Sequence, residues 1–115
     1  MQINEVRMDE VLTHLALAGK LDAAGIQGND IRFSGYTAAR RKPTLVDLSQ
    51  VEFIASLGVG MLVACAKALQ RHGAKMVLLN PSEPVEKVLT TLGIDQVIPI
   101  AHSLDEGLSL LAAGA

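Results

Sequence analysis

The strongest candidate for a chemical site is a short run of serine and glycine, Ser56-Leu57-Gly58-Val59-Gly60. Glycines that open a helix after a strand can cradle a phosphate on their backbone N–H groups. This run lacks the third glycine of a dinucleotide-binding loop and the Gly-Lys-Ser/Thr ending of a P-loop. Nucleotide or small-molecule binding at Gly58 and Gly60 is therefore the weaker alternative to a role in protein interaction.

The histidines and the cysteine do not have the spacing of metal ligands. His14, His72 and His102 lie far apart in the chain, and Cys65 is the single cysteine. A structural zinc site needs several such ligands in closely spaced pairs. We expect no metal and no cofactor, and we expect Cys65, which lies in an apolar run, to be a buried small side chain.

A hydrolytic triad could be assembled on paper from Ser56, His72 and Asp47. The serine, however, does not lie in the Gly-x-Ser-x-Gly sequence that exposes a nucleophile at a sharp turn. We therefore expect a protein that is not an enzyme.

Length and composition predict one domain, residues 1–115. The chain is 50% hydrophobic and carries 10 Lys and Arg against 12 Asp and Glu, a net charge of −2, and its basic run Arg40–Lys42 is short. This balance argues against disorder and against direct nucleic acid binding. No apolar stretch is long enough for a membrane span, and the polar start, residues 1–5, is unlike a signal peptide. We expect a cytoplasmic protein without membrane insertion.

The elements that must position these residues alternate between strand and helix. Apolar runs bounded by breakers predict strands, and apolar residues at helical spacing predict helices. The predicted strands are 2–7, 11–18 (stopped by a turn at Gly19-Lys20), 44–48, 75–80 and 97–100, and the predicted helices are 58–72, 82–92, 103–111 and an irregular one over 22–39. This order predicts an α/β fold with a mostly parallel mixed sheet of four to five strands packed with about four helices.

The segment Val46–Val63, V-D-L-S-Q-V-E-F-I-A-S-L-G-V-G-M-L-V, resembles the STAS family, which includes the anti-sigma factor antagonists of bacteria and the tails of sulphate transporters. The run Gly19–Asp22 resembles the family's G-x-L-D turn. Nearly the whole chain is covered, so the resemblance implies a single STAS-like domain.

In the antagonists, a serine just before the first glycine is phosphorylated by a partner anti-sigma factor that is itself a serine kinase. The resemblance places Leu57 at that acceptor position, Ser56 beside it and Ala55 where the family has aspartate. Ser56 is then the candidate phosphoacceptor. Asp22 stands where antagonists contact the kinase.

Elementary chemistry supports a switch at Ser56 but leaves simpler roles open. A phosphoryl group adds about −1.5 to −2 charges, which the positive end of a helix tolerates and a partner packed over it does not. The alternative is that Ser56 only caps the helix. Asp22 could likewise cap the next segment, and Asp47, inside an apolar strand, should be hydrogen bonded near the carboxyl end of the sheet and structural.

The predicted helix 58–72 has a second face of small and apolar residues, where a solvated helix should be polar. A partner helix could approach this face closely, although another part of the domain or a second copy in a homodimer could also cover it. This face consists of Gly60, Met61, Ala64, Cys65 and Ala68. The predicted partner-binding set is Asp22, Ser56, Leu57, Gly58, Gly60, Met61, Ala64 and Ala68.

Together these observations predict an anti-sigma factor antagonist that binds a serine-kinase anti-sigma factor under the control of phosphorylation. The alternative is an unphosphorylated STAS subunit that docks on a transporter or sensor complex, for which Leu57 and Ala55 would be harmless.

Overall fold

The computed structural model describes residues 1–113, which form one α/β domain around a five-stranded sheet. The strands are β1 (Gln2–Met8), β2 (Thr13–Leu21), β3 (Thr44–Ile54), β4 (Met76–Leu79) and β5 (Ile100–Ala101). The helices are α1 (Ala23–Ile26), α2 (Asn29–Tyr36), α3 (Ser56–Arg71), α4 (Glu83–Thr91) and α5 (Leu104–Ala112), with a 3₁₀ turn at Ile94–Gln96.

The strands lie side by side in chain order, from β1 at one edge to β5 at the other. β1 pairs antiparallel with β2, and every later pair is parallel. Parallel neighbours need a crossover, and each crossover here contains a helix. The predicted fold class, a mostly parallel mixed sheet with helices on its faces, is confirmed, with five helices in place of about four.

The two faces of the sheet carry two apolar clusters because side chains alternate along a strand. Leu15, Val46 and Leu78 belong to the larger cluster, which also holds α3 and α4 residues and the fully buried Phe33. The smaller cluster contains Leu45 and other strand residues and is packed against α5. The site described below lies on the side of the larger cluster.

Three predicted strand boundaries are wrong. β3 does not end at Leu48 but continues to Ile54, because Phe53 and Ile54 still pair with Lys20 and Leu21 of β2. The other two differ for local backbone reasons. β2 does not stop at Gly19 but continues to Leu21, because Gly19 adopts φ +90° at a register shift in the pairing with β3. A left-handed glycine within a strand bends it as a bulge without ending it. The last strand is Ile100–Ala101 and not 97–100, because Val97 and Ile98 close the preceding 3₁₀ turn by donating to the carbonyl of Ile94.

The irregular helix predicted over 22–39 is two short helices. Gly28, at φ +79°, separates α1 from α2 and turns the chain between them. α3, in contrast, matches the predicted helix closely. It ends as predicted at Gly73, φ +77°, where the N–H groups of Gly73 and Ala74 return to the carbonyls of Gln70 and Leu69.

Candidate protein-interaction site

The predicted site residues converge where β2 and β3 end and α3 begins. The backbone N–H of Ala55 donates to the carbonyl of Leu21 at 3.0 Å, which fixes the end of β3 against the end of β2. The chain leaves β2 into α1 and leaves β3 into α3. The first turns of both helices therefore lie at the carboxyl edge of the sheet.

Two glycines permit the close approach of these helices to the strand ends. A Cβ on Gly58 would lie 2.4 Å from the carbonyl oxygen of Leu21 and 2.8 Å from its Cβ. A Cβ on Gly25 would lie 1.9 Å from the carbonyl oxygen of Lys20. Gly58 is buried, so its contribution is this close packing, which sets the position of the first turn of α3.

Ser56 is the first residue of α3, and its side chain is exposed. The residue at the N-cap is Ala55, which has no side-chain acceptor. The interpretation of Ser56 as an N-cap is therefore wrong. The N–H groups of the first turn, which an α-helix cannot satisfy by itself, have no side-chain cap, and this leaves the positive end of α3 open to an anion at Ser56.

Three large apolar side chains are exposed on the elements that form the site. Leu57 is 58% exposed, and Phe53, near the end of β3, is 51% exposed. Ile31, on the exposed side of α2, is 78% exposed. Large aliphatic and aromatic side chains at a surface are typical of interaction sites. The prediction from sequence missed Phe53 and Ile31, although Phe53 belongs to the segment that carries the family resemblance.

A groove of about 420 Å³ runs beside Ser56 between the short helices and α3. Its lining is mostly apolar, with one carboxylate from Asp30 on the side of α2. The lining residues are Ile26, Asp30, Ser34, Ser56, Leu57, Gly60, Met61, Ala64 and Cys65. The sequence did not indicate a groove, because its α2 wall belongs to the segment that was predicted to be irregular.

The predicted exposed face of α3 is only partly open. Gly60 and Ala64 are exposed as expected, but Met61 and Cys65 are buried, at 8% and 6% exposure. The prediction of an open face is wrong for Met61, because the short helices lie over this side of α3. Cys65 belongs to the same face, and its burial agrees with the separate prediction of a buried small side chain. Ala68 is half-buried and does not line the groove. Part of the same domain thus covers this face, which was one of the open alternatives.

Cys65 lies at the floor of the groove as an unreactive thiol. Burial raises its pKa, and hydrogen bonds with the side chains of Thr37 and Ser34 oppose that rise only in part. The prediction of a buried small side chain is confirmed. A thiol kept protonated is a poor nucleophile.

The two predicted aspartates have local hydrogen bonds. Asp22 caps α1, since its carboxylate accepts from the N–H of Gly25 at 2.8 Å. Asp47 is half-buried, and its carboxylate accepts from the N–H of Ser49 at 2.8 Å. Asp47 lies in the middle of β3, opposite Leu79 at the end of β4. Asp22 shares the carboxyl edge with Ser56 but does not line the groove.

The structure does not bring Ser56, His72 and Asp47 together as a hydrolytic triad. Ser56 begins α3 and His72 follows its last residue, so about 24 Å of helix separates them. Within residues 1–113, no three His, Cys, Asp or Glu side chains are grouped so that they could hold a metal ion. None of the helices described is both long enough and apolar enough to cross a membrane.

Comparisons with known proteins agree with the fold. The STAS domain family matches residues 3–107. A protein of Thermotoga neapolitana, named "Putative anti-sigma factor antagonist" homolog, is 34% identical over 64 residues, which are 56% of this chain and 57% of that protein. The match thus spans a little over half the length of this relative.

Solved structures share the fold at low identity. A crystal structure of an anti-sigma factor antagonist from Thermotoga maritima, also described as putative, gives a TM-score of 0.78 at 22% identity and covers 96% of this chain and 93% of that chain. The antagonist SpoIIAA of Bacillus, unphosphorylated, gives 0.78 at 18% identity and covers 99% of both chains. Its phosphorylated form gives 0.66 at 18% identity and covers 95% of this chain and 98% of that chain. With residues 3–107 matched by the family and the fold shared along nearly its whole length, the chain belongs to the STAS domain family.

Proposed function

We propose that this protein is an anti-sigma factor antagonist that binds a serine-kinase anti-sigma factor at the groove beside Ser56, and that phosphorylation of Ser56 releases the partner. The protein itself catalyses nothing and acts in the cytoplasm. The observation that carries the proposal is the exposed Ser56 hydroxyl at an uncapped helix start, next to a mostly apolar groove. That the similar SpoIIAA has a phosphorylated form supports it.

The position of Ser56 explains how a phosphate could control binding without unfolding the domain. The dianion would lie at the positive end of α3, where an anion stabilises a helix by about 0.3–1 kcal/mol. A partner that covers Leu57 and the groove would have to strip water from the same dianion, and burial of an unpaired charge is strongly unfavourable. The free domain therefore tolerates the phosphate and the complex does not.

The groove suits a helix or loop with an apolar face. Ile26, Leu57 and Ala64 offer apolar contacts, and Asp30 provides one carboxylate for a basic residue of the partner. Asp22, already used as a helix cap, keeps a second oxygen for such a partner.

The direct test is mass spectrometry of the protein from its native cells, before and after phosphatase treatment. A phosphoryl group on Ser56 is expected. In parallel, Ser56→Asp and Ser56→Ala are compared for binding to the cognate kinase, with Ser109→Asp, an exposed serine of α5, as the matched control. Loss of binding in Ser56→Asp alone supports the switch, whereas equal binding by all variants contradicts it.

A second candidate function is favoured by Leu57. This exposed leucine occupies the acceptor position that the family resemblance assigns, and it cannot be phosphorylated. An aliphatic residue there suits a permanent contact in a transporter or sensor complex. If the protein from native cells is unmodified under several growth conditions, and Leu57→Ala abolishes a stable complex, this function replaces the switch.

A further inference from the structure

The charged residues of this chain are segregated between the two ends of the sheet. The end at which β2, β3 and β4 start is called here the amino-terminal pole, and it includes the loop 9–12, the segment 40–43 and the segment 71–75. Backbone bonds hold these segments side by side. The N–H of Thr13 donates to Pro43 at 2.9 Å, and the N–H of Thr44 donates to Lys75 at 2.8 Å.

Half of the Lys and Arg residues of the chain, five of 10, lie at this pole: Arg40, Arg41, Lys42, Arg71 and Lys75. Arg41 and Arg71 are exposed, and the others are half-buried. Arg71 lies near the start of β4, because the chain turns directly after α3. The N–H of Ala74 donates to the carbonyl of Leu69 at 3.0 Å across this turn.

These five charges are not neutralised by carboxylates within the described part of the chain. The ion pairs found there are Arg7–Asp9 and His102–Glu86. Arg40 instead donates to the hydroxyl of Thr13 at 2.8 Å and to the carbonyl of Asp9, and Lys75 donates to the carbonyl of Leu110 at 3.4 Å. Among the side chains of residues 1–113, the unpaired carboxylates of Glu10 and Asp95 lie on segments that reach this end of the sheet.

The opposite end of the sheet is acidic. Four carboxylates lie in the first turns of α4 and α5, which follow β4 and β5: Glu83, Glu86, Asp105 and Glu106. A chain with a net charge of −2 therefore presents one pole with an excess of positive charge. A local potential of this kind, and not the net charge, decides which surfaces attract a protein.

An aliphatic side chain projects from the same pole. Val11 is 68% exposed although its loop is firmly held. One carboxylate oxygen of Asp9 accepts from the N–H of Val11 at 2.9 Å and from the N–H of Leu12 at 2.8 Å, and the Arg40 guanidinium reaches the same loop. Beside Val11 lies a small pocket of about 210 Å³ whose lining is mostly apolar and includes Pro43.

We propose that the amino-terminal pole docks on the surface of an anionic lipid bilayer. The exposed cations of the pole, Arg41 and Arg71, meet the headgroups, while Arg40 and Lys75 hold the neighbouring segments in place. Val11 reaches the boundary of the acyl chains. Basic residues around an exposed apolar side chain are the composition of interfacial membrane contacts. A single-stranded nucleic acid fits less well, because the exposed aromatic Phe53 lies at the other end of β3 and stacking on unpaired bases needs an aromatic side chain. Duplex DNA, which binds through its phosphates, is separated from lipid by the test below.

Docking at this pole leaves the proposed partner site free. α3 begins at Ser56 and ends at Arg71, so the two sites are separated by the length of this helix, about 24 Å. The domain would thus bring its partner to a membrane surface without using the groove for attachment.

The test measures cosedimentation of the full chain with vesicles of phosphatidylglycerol and phosphatidylcholine at low salt, and with phosphatidylcholine alone. Binding is expected only with the anionic vesicles and is lost at high salt. The variant Arg41→Gln/Arg71→Gln should bind about 25-fold more weakly, roughly fivefold for each cation removed. The matched control Lys20→Gln/Lys87→Gln removes two exposed cations away from the pole and should bind as the natural chain does.

Val11→Ser separates a lipid surface from any other polyanion. It should weaken binding to anionic vesicles and leave the salt dependence unchanged. The lipid proposal is overturned if the natural chain ignores anionic vesicles, if the control double variant loses as much binding as Arg41→Gln/Arg71→Gln, or if duplex DNA binds more tightly than vesicles and Val11→Ser has no effect on either. Thermal unfolding of each variant checks that the fold is intact.

Discussion

Gly58→Ala and Gly60→Ala form a matched pair that tests how α3 is seated. Both glycines lie within the first turns of the same helix, and both replacements gain about 1 kcal/mol from the better helix propensity of alanine. Because this gain is the same in both variants, it cancels when their free energies of unfolding are compared. At Gly60 nothing lies within 4 Å of the new methyl group, whereas at Gly58 it meets backbone and side-chain atoms of Leu21 at 2.4 and 2.8 Å.

The expected difference in the free energy of unfolding follows from those distances. Leu21 is fully buried, and its carbonyl already accepts from Ala55, so neither can move freely. Overpacking of this kind costs about 1–3 kcal/mol. Gly60→Ala should thus be stabilised by about 0.5–1 kcal/mol, and Gly58→Ala should be less stable than Gly60→Ala by about 1–3 kcal/mol. For a domain of this size, that is a gap of roughly 4–12 °C in Tm.

The assay is urea unfolding of both variants and the natural chain, with the m-value checked for constancy. If the two variants agree within about 0.5 kcal/mol, the close approach of α3 to β2 is not what Gly58 provides. A second readout is binding of the kinase partner. Both variants should bind more weakly, Gly58→Ala because the start of α3 shifts and Gly60→Ala because a methyl group enters the groove while the fold gains stability.

Three further predictions concern ionisable groups. The hydrogen bond from Arg7 lowers the pKa of Asp9 from 3.8 to about 2. The stability that Asp9 provides is therefore complete above pH 3.8 and is lost as the pH falls through about 2. In urea unfolding, the free energies of unfolding of Asp9→Asn and the natural chain should become equal at that acid end. Burial lowers the pKa of His14 below its usual 6.5, with Asp47 opposing the shift and Arg7 adding to it. The unfolded chain then binds the extra proton, so stability should fall as the pH drops below about 6.5 and fall less in His14→Gln; an unchanged slope would refute this. Cys65 should react with a thiol reagent at pH 8 only as fast as the domain opens, and rapid labelling of the native protein would contradict its burial.

The order of the elements was readable from the sequence because each strand and helix has a strong local pattern. The apolar runs before Asp47 and Asn80 and the helical spacing after Ser56 predicted β3, β4 and α3. The glycines were harder to interpret. Gly73 ends a helix, Gly19 bends a strand, and local sequence alone does not distinguish those two uses of a left-handed residue.

The position of a site residue was predictable only where the local sequence of one element determines it. Ser56 and Leu57 were placed correctly at the start of α3, since a strand followed by glycines fixes that junction. The groove depends on how α2 packs on α3, a contact between segments distant in the chain. Periodicity therefore assigned Met61 and Cys65 to an open face, although both are buried at the floor of the groove.

The domain should open locally more easily at β5 than at its central strands, because β5 is short and α5 is the single helix packed on that face. β5 pairs through only Ile100 and Ala101, whereas β2 and β3 pair along most of their lengths. The segment from β5 through α5 should therefore detach first, as a cooperative unit whose amide hydrogens exchange before those of the central strands. Nothing that lines the Ser56 groove belongs to that unit. The domain can release the segment from β5 through α5 transiently and still present the same surface to a partner.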